Sequence, residues 1–197
     1  MAAAIRPVFR FEKESHKYFF GDQELPSVTR VLIGAGLIDT QWYTEVGRAR
    51  GSAIHIACQF DDEGDLDEET LDPAVAPYLE AWRAFRKDTG FEPTETEQPS
   101  FDAIRGYAGT PDRIGRRGNK KSVVDIKSGG KHPAYQIQLA AYANLQLEPM
   151  SYERLQVRLQ GDGKYFCDMF PKSEFMADLN IFLSGLNVLN FKRKYNL

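Results

Sequence analysis

Residues 8 to 20 alternate apolar and polar positions and are rich in aromatics: Val8, Phe9, Phe11, Tyr18, Phe19 and Phe20. A period of two places alternate side chains on one face of a strand, and Gly21-Asp22 follows as a turn, so the stretch predicts a hairpin. Pro26-Ser27-Val28-Thr29 opens a helix with Ser27 as its N-cap, ending near Gly34. Residues 39 to 60 read as helical. Residues 73 to 89 predict a helix with Val75, Leu79, Trp82 and Phe85 on one side and Gly90 as its stop. From residue 94 the pattern turns to strands, at 94–103, 106–116, 121–128, 152–160 and 164–170. A helix from about His132 to Leu145 has Pro133 in its first turn. The last helix sets Phe175, Leu179, Phe182, Leu186 and Leu189 at steps of four and three, one apolar stripe. Helices followed by strands interleaved with helices predict an α/β layered domain.

Composition narrows the class. The chain has 197 residues, 42% apolar and 27% charged, which suits one globular domain and excludes a disordered or collagen-like chain. No run approaches the roughly 18 apolar residues of a membrane helix. Met1 to Pro7 has no apolar run behind a basic segment, so no secretory leader is expected. Two cysteines, Cys58 and Cys167, are too few for a cysteine-ligated zinc or iron–sulfur site and read as free buried thiols of a cytoplasmic protein.

Net charge is -3, which at first argues against nucleic acid. Residues 61 to 72, however, carry eight acids and no base, and the rest of the chain is net positive. Residues 102 to 132 hold Arg105, Arg113, Arg116, Arg117, Lys120, Lys121, Lys127 and Lys131, and Lys192-Arg193-Lys194 closes the chain. Local basic surface is what an anionic polymer meets, so these residues are candidates to guide a phosphate backbone. The acidic run reads as an exposed loop.

The chemistry concentrates in Gly109-Thr110-Pro111-Asp112 and Val123-Val124-Asp125-Ile126-Lys127. Gly118-Asn119 between them is a hairpin-turn signal. A two-residue turn there sets Asp112 opposite Asp125. Opposed residues of an antiparallel pair have Cβ atoms about 4.5–5.5 Å apart, and like charges so placed repel. A divalent cation between them resolves the repulsion. Lys127, two residues beyond Asp125, shares its face. Two carboxylates and a lysine at one point suit metal-assisted phosphodiester hydrolysis: the metal neutralises phosphate and acidifies water, and the lysine orients that water or stabilises transition-state charge. Taken singly, each piece has a plainer reading. Asp-x-Lys on a strand is usually a surface ion pair, Pro-Asp a turn, and a lone histidine on an apolar helix a packed core residue. No phosphate-binding Gly-x-x-x-x-Gly-Lys loop, Gly-x-Ser-x-Gly elbow or His-Glu-x-x-His helix is present.

In combination and in this order, the segments resemble the PD-(D/E)XK nuclease superfamily. Pro111-Asp112 looks like its first motif and Asp125-Ile126-Lys127 like its second. Gln138-Leu139-Ala140-Ala141-Tyr142 resembles the Gln-x-x-x-Tyr motif of the RecB-type branch, and Gly51-Ser52-Ala53-Ile54-His55 its Gly-x-x-x-His helix. Tyr18 to Leu32 is similar to the entry segment of phage-encoded and mitochondrial genome-maintenance exonucleases of that branch. The chain departs from members with Glu at the Asp125 position and from those with four cluster-binding cysteines. The resemblance implies a restriction-endonuclease-like α/β core with a mixed central β-sheet flanked by helices at 49–60, 132–145 and 174–191. It implies one nuclease domain over residues 1–197: N-terminal hairpin and helices to 93, catalytic core 94–170, C-terminal helix 171–197. It implies Mg²⁺ or Mn²⁺ on His55, Asp112, Asp125 and the carbonyl of Ile126. Lys127 would assist the attacking water, and Gln138 and Tyr142 would orient the site or the strand. Glu97 falls where some members place a further acid. The implied activity is metal-dependent DNA exonuclease action in recombination, repair or phage replication, beside a single-strand annealing protein or a separate helicase. A structure-specific endonuclease and an inactive DNA-binding protein are the alternatives.

Overall fold

The computed structural model describes residues 7–41 and 43–197. The start of the chain, where no leader is expected, lies outside the described residues up to Arg6. The protein is mixed α/β, with a mixed central sheet flanked by helices, as the pattern of the sequence predicts.

The central sheet uses β4 (Phe91–Thr96), β7 (Arg113–Arg117), β8 (Lys120–Lys127), β9 (Glu153–Leu159) and β10 (Tyr165–Phe170) in the order β10-β9-β8-β7-β4. β8 and β9 run parallel and the other pairs antiparallel. A parallel pair needs a crossover, supplied here by α4 (Ala134–Asn144). In β8, Val123 packs with α1 (Val28–Gly34), α4 and α5 (Phe175–Tyr195). Val124 and Ile126 pack on the other face with Ile54 of α2 (Glu45–Glu63) and with Leu79, Trp82 and Phe85 of α3 (Ala76–Thr89). β8 is therefore buried on both faces, and its remaining polar side chains must find partners inside.

Gly118 has φ +57, the left-handed geometry the two-residue β7–β8 turn requires, and the ladder pairs Arg117 with Lys120 through to Arg113 with Val124. This is the register expected from Gly118-Asn119. The ladder ends there, and Asp112 lies one residue beyond it.

Several elements differ from the pattern. The aromatic N-terminus forms three strands, β1 (Phe9–Glu12), β2 (Lys17–Phe20) and β3 (Gln23–Leu25), with turns at 13–16 as well as at Gly21-Asp22. Its aromatics pack around Tyr18, Leu25 and Ala108. The stretch 94–103 divides between β4 and β5 (Ser100–Asp102), and 106–116 between β6 (Tyr107–Gly109) and β7. β5 and β6 pair with each other outside the central sheet. α2 starts at its Thr44 cap and runs to Glu63, where Gly64 at φ +77 ends it. The acidic run is therefore not all loop. Asp61 meets Arg83 and Arg86, and Asp62 meets Arg86 and Arg113.

The basic segment is corrected as well. Arg105, Arg113, Arg117, Lys120, Lys121, Lys127 and Lys131 all form ion pairs with acids of this chain. The β7–β8 turn also lies at the opposite end of β8 from Asp125, about 17 Å away at 3.3 Å per residue. Arg113 is thereby taken into the interior, while Arg105, Lys120, Lys121 and Lys131 stay on the surface with an acid beside each.

Both cysteines are free, Cys58 buried as expected but Cys167 exposed on β10. No helix among the described residues is long and apolar enough to cross a membrane.

Candidate metal centre

Four segments meet at one end of the central sheet. α2 brings His55, the residue after β4 brings Glu97, the segment before β7 brings Asp112, and the end of β8 brings Asp125, Ile126 and Lys127. His55, Glu97 and Asp112 each offer a ligand atom, and these three atoms lie within 4.8 Å of one another. His55 Nδ1 is 3.5 Å from Asp112 Oδ1 and 3.7 Å from Glu97 Oε1. The second Asp112 oxygen accepts the Ile126 N–H at 2.6 Å. That bond ties the carboxylate to β8 although Asp112 has left the ladder.

Asp125 is turned to Lys127. The ammonium lies 2.7 Å from each of its oxygens, donating a hydrogen bond to Oδ1, and Oδ2 is buried with no hydrogen-bond donor. Burial pushes the Asp125 carboxyl up to about 6, Lys127 opposing the shift and Asp112 adding to it. For Lys127, burial alone favours loss of the proton, but Asp125 and Asp112 outweigh it, and the ammonium form is held. The Lys127 ammonium also stands 5.3 Å from the centre of the Tyr135 ring, a cation–π contact. Burial likewise lowers the His55 pKa while Asp112 and Glu97 raise it, with a net upward shift from 6.5.

Gln138 and Tyr142, one turn apart on α4, are both buried. Gln138 Nε2 lies 3.2 Å from Tyr142 Oη and 3.4 Å from Thr29 Oγ1, and Gln138 Oε1 has no partner. Asp125 and Asp112 disfavour a negative charge on Tyr142, which together with burial keeps its hydroxyl protonated. The ring rests on Gly109, where a Cβ would come within 2.8 Å of Tyr142 Cε1. Gly109 thus lets α4 approach the strand leading to Asp112.

Two features go beyond the expected ligand set. Glu97, the further acid that the resemblance offers, stands beside His55. Its backbone is left-handed at φ +48, uncommon for a residue with a side chain, and its N–H donates to the Asp112 carbonyl at 3.2 Å. Arg113 is the other. Fully buried, it pairs with the Asp62 carboxylate and donates to the Asp112 carbonyl at 2.6 Å. It also reaches to 3.5 Å from Glu97. Arg113 therefore braces both acid-bearing segments from behind.

The donor set fits a divalent cation. It joins one imidazole to two carboxylates that would otherwise repel, with the Asp125 carboxylate close by on β8. In this conformation Asp125 is held by Lys127 and is not part of the three-residue cluster.

No protein-family model matches the chain, and no curated protein matches it. Among solved structures it is similar to an alkaline exonuclease, LHK-Exo, from Laribacter hongkongensis. The identity is 16% and the TM-score 0.37, over 86% of this chain and 92% of that one. The same exonuclease in complex with dAMP gives 15% and 0.33, over 87% and 93%. The protein SSO0001 gives 13% and 0.32, over 80% and 83%.

Proposed function

We propose that the protein is a divalent-metal-dependent deoxyribonuclease of the RecB-type branch that degrades DNA from an end, in recombination, repair or phage replication. The observation that carries the reading is the meeting of His55, Glu97 and Asp112 beside the buried Asp125–Lys127 pair. In it, His55, Asp112 and Asp125 hold Mg²⁺ or Mn²⁺, with Glu97 as a further ligand and the Ile126 carbonyl completing the set. The bound cation supplies neutralisation of phosphate charge and acidification of water. Lys127, kept charged by its acidic neighbours, places a proton-donating ammonium at the scissile phosphate and stabilises charge as it develops there. Gln138 and Tyr142 fix the α4 side of the site and stay neutral while doing so.

The test is end-labelled linear DNA incubated with Mn²⁺, with Mg²⁺ and with chelator, following product lengths, alongside a closed circle. Progressive shortening of the linear substrate only with metal, and an intact circle, is the expected result. Cleavage of the circle replaces the exonuclease reading by an endonuclease. No metal-dependent cleavage by wild type, or equal cleavage by Asp125→Asn, removes the nuclease reading.

A further inference from the structure

Gln156 is the single amide side chain of β9, and it is fully buried. Among the described residues, neither its Nε2 nor its Oε1 has a hydrogen-bond partner. Water would satisfy both ends of an exposed amide, so burying one unpaired is costly, and native proteins rarely leave it so. Methionine would fill the same space without that cost. The core therefore carries a polar group that its own packing does not use.

The sheet fixes what this amide can reach. In the β8–β9 ladder Val124 pairs with Leu155 and Ile126 with Val157, and these four side chains pack on the α2–α3 face. Alternation puts Asp125 and its registered partner Gln156 together on the opposite face, the one covered by α4. Adjacent strands lie about 4.8 Å apart, within the span of a glutamine side chain. On its other side Gln156 is registered with Asp168 of β10. Both oxygens of that acid are taken, Oδ1 accepting from Lys131 at 2.8 Å and Oδ2 from Arg158 at 3.3 Å. Asp125 is less well held. Its one hydrogen bond comes from Lys127, whose ammonium stands 2.7 Å from each oxygen.

Two demands fall on Lys127 in the proposed reaction. It cannot bracket both Asp125 oxygens and also meet a scissile phosphate. Once it turns to the phosphate, the carboxylate loses the donor that orients it. Carboxylates that ligate a metal are themselves hydrogen-bonded by outer groups, which hold them in the ligating orientation. Gln156 Nε2 is a free donor on the same face, and the other registered acid has no need of it.

We propose that Gln156 is a positioning residue of the metal centre: its amide N–H holds one Asp125 oxygen when Lys127 is released, leaving the other oxygen to the cation. The inference rests on the nuclease reading for the cation and goes beyond it in giving β9 a part in the site.

The experiment pairs urea unfolding in chelator with calorimetric titration of Mn²⁺. The proteins are wild type, Gln156→Met, Gln156→Asn and the packing control Val123→Ala. Met keeps the length and removes the amide; Asn keeps the amide one methylene shorter. The metal-free midpoint of Gln156→Met should be at least that of wild type, because no partner is stranded. Its Mn²⁺ affinity should nevertheless fall about 10- to 100-fold, and Gln156→Asn should recover part of that loss. Val123→Ala should lower the midpoint and bind Mn²⁺ as wild type does. Equal Mn²⁺ affinity in Gln156→Met and wild type, a Gln156→Met midpoint below that of wild type, or an equal affinity loss in Val123→Ala overturns the proposal. The two readings separate. Weakened Mn²⁺ binding in Gln156→Met, with no cleavage of DNA by wild type, defeats the nuclease and leaves Gln156 its place beside the metal. Metal-dependent cleavage by wild type, with undiminished Mn²⁺ binding in Gln156→Met, defeats Gln156 and leaves the nuclease.

Discussion

Replacing Asp62 by Ala should damage both stability and activity, although Asp62 touches none of the proposed metal ligands. Its side chain is fully buried and meets three groups: the Arg113 guanidinium, Arg86 Nη1 at 2.8 Å and Trp82 Nε1 at 2.9 Å. Arg86 is about a third exposed and can turn to Asp61 or to water, so its loss counts for little. Arg113 has little escape: it is fully buried, its Nη2 already lacks a partner, and the one acid left to it is Glu97, at 3.5 Å. Breaking one side of a buried pair costs about 3–5 kcal/mol, because the remaining charge loses its close partner, here leaving Arg113 only the longer contact to Glu97. That is a large part of a typical stability of about 5–15 kcal/mol. At a urea slope of about 2 kcal/mol/M, the midpoint should fall by roughly 1.5–2.5 M. The assay is equilibrium urea unfolding of wild type, Asp62→Ala, Arg113→Met and the double variant. The double variant should be more stable than Asp62→Ala alone, since it removes the stranded charge. A loss below about 1 kcal/mol in Asp62→Ala, or strictly additive effects, would refute the reasoning.

Other outcomes follow from the same geometry. Lys127→Ala should lose about 10²–10³ in cleavage rate while calorimetry shows Mn²⁺ still bound, because an ammonium is no ligand; near-wild-type turnover would remove its role. Saturating Mn²⁺ should raise the thermal midpoint of wild type more than that of Asp112→Asn; equal shifts would count against Asp112 as a ligand. His55 must be neutral to bind metal, and its pKa is raised, so Mn²⁺ affinity should fall as pH drops, with the fall beginning above the ordinary 6.5. In His55→Ala that step should vanish and added Mn²⁺ should recover part of the cleavage; an unaltered metal and pH dependence would make His55 a packing residue. Gly115→Ala should destabilise by at least about 1–3 kcal/mol, since its Cβ would run into the Glu92 carbonyl and the Phe91 ring across the β4–β7 pair; a neutral urea midpoint would contradict that packing.

What the sequence made legible was local. Gly118-Asn119 determined the β7–β8 register because a two-residue turn leaves the strands no other alignment. The stripes of α3 and α5 were readable because burial follows helical period, as Leu79, Trp82 and Phe85 show, and Phe175, Leu179, Phe182 and Leu186. The misread features depend on partners far along the chain. Asp62 meets Arg113 across 51 residues, so an acid of the acidic run and a base of the basic run, both of which looked solvated, are buried against each other. The break between β4 and β5 lies at Glu97, where a left-handed residue that is not glycine leaves no compositional mark. The same break is what turns Glu97 toward His55, so an acid in the candidate site was hidden by the irregularity that positions it.

The position of β8 has a kinetic consequence. It is the middle strand of five, covered on both faces and paired on both edges as far as Val124, beyond which only β9 pairs with it. Its amides up to Val124 should exchange with deuterium only when the whole molecule opens, whereas α2 belongs to no sheet and is held by one packed face and its Asp62–Arg113 pair, so it can open separately. Asp125 and Lys127 thus extend directly from the most persistent strand of the protein, and His55 rides on a helix that can detach earlier. On warming, the site would come apart in order, the imidazole leaving while the Asp125–Lys127 pair is still in place. Metal retention would then fade over a temperature range in which the sheet, followed by its amide protection, is still intact.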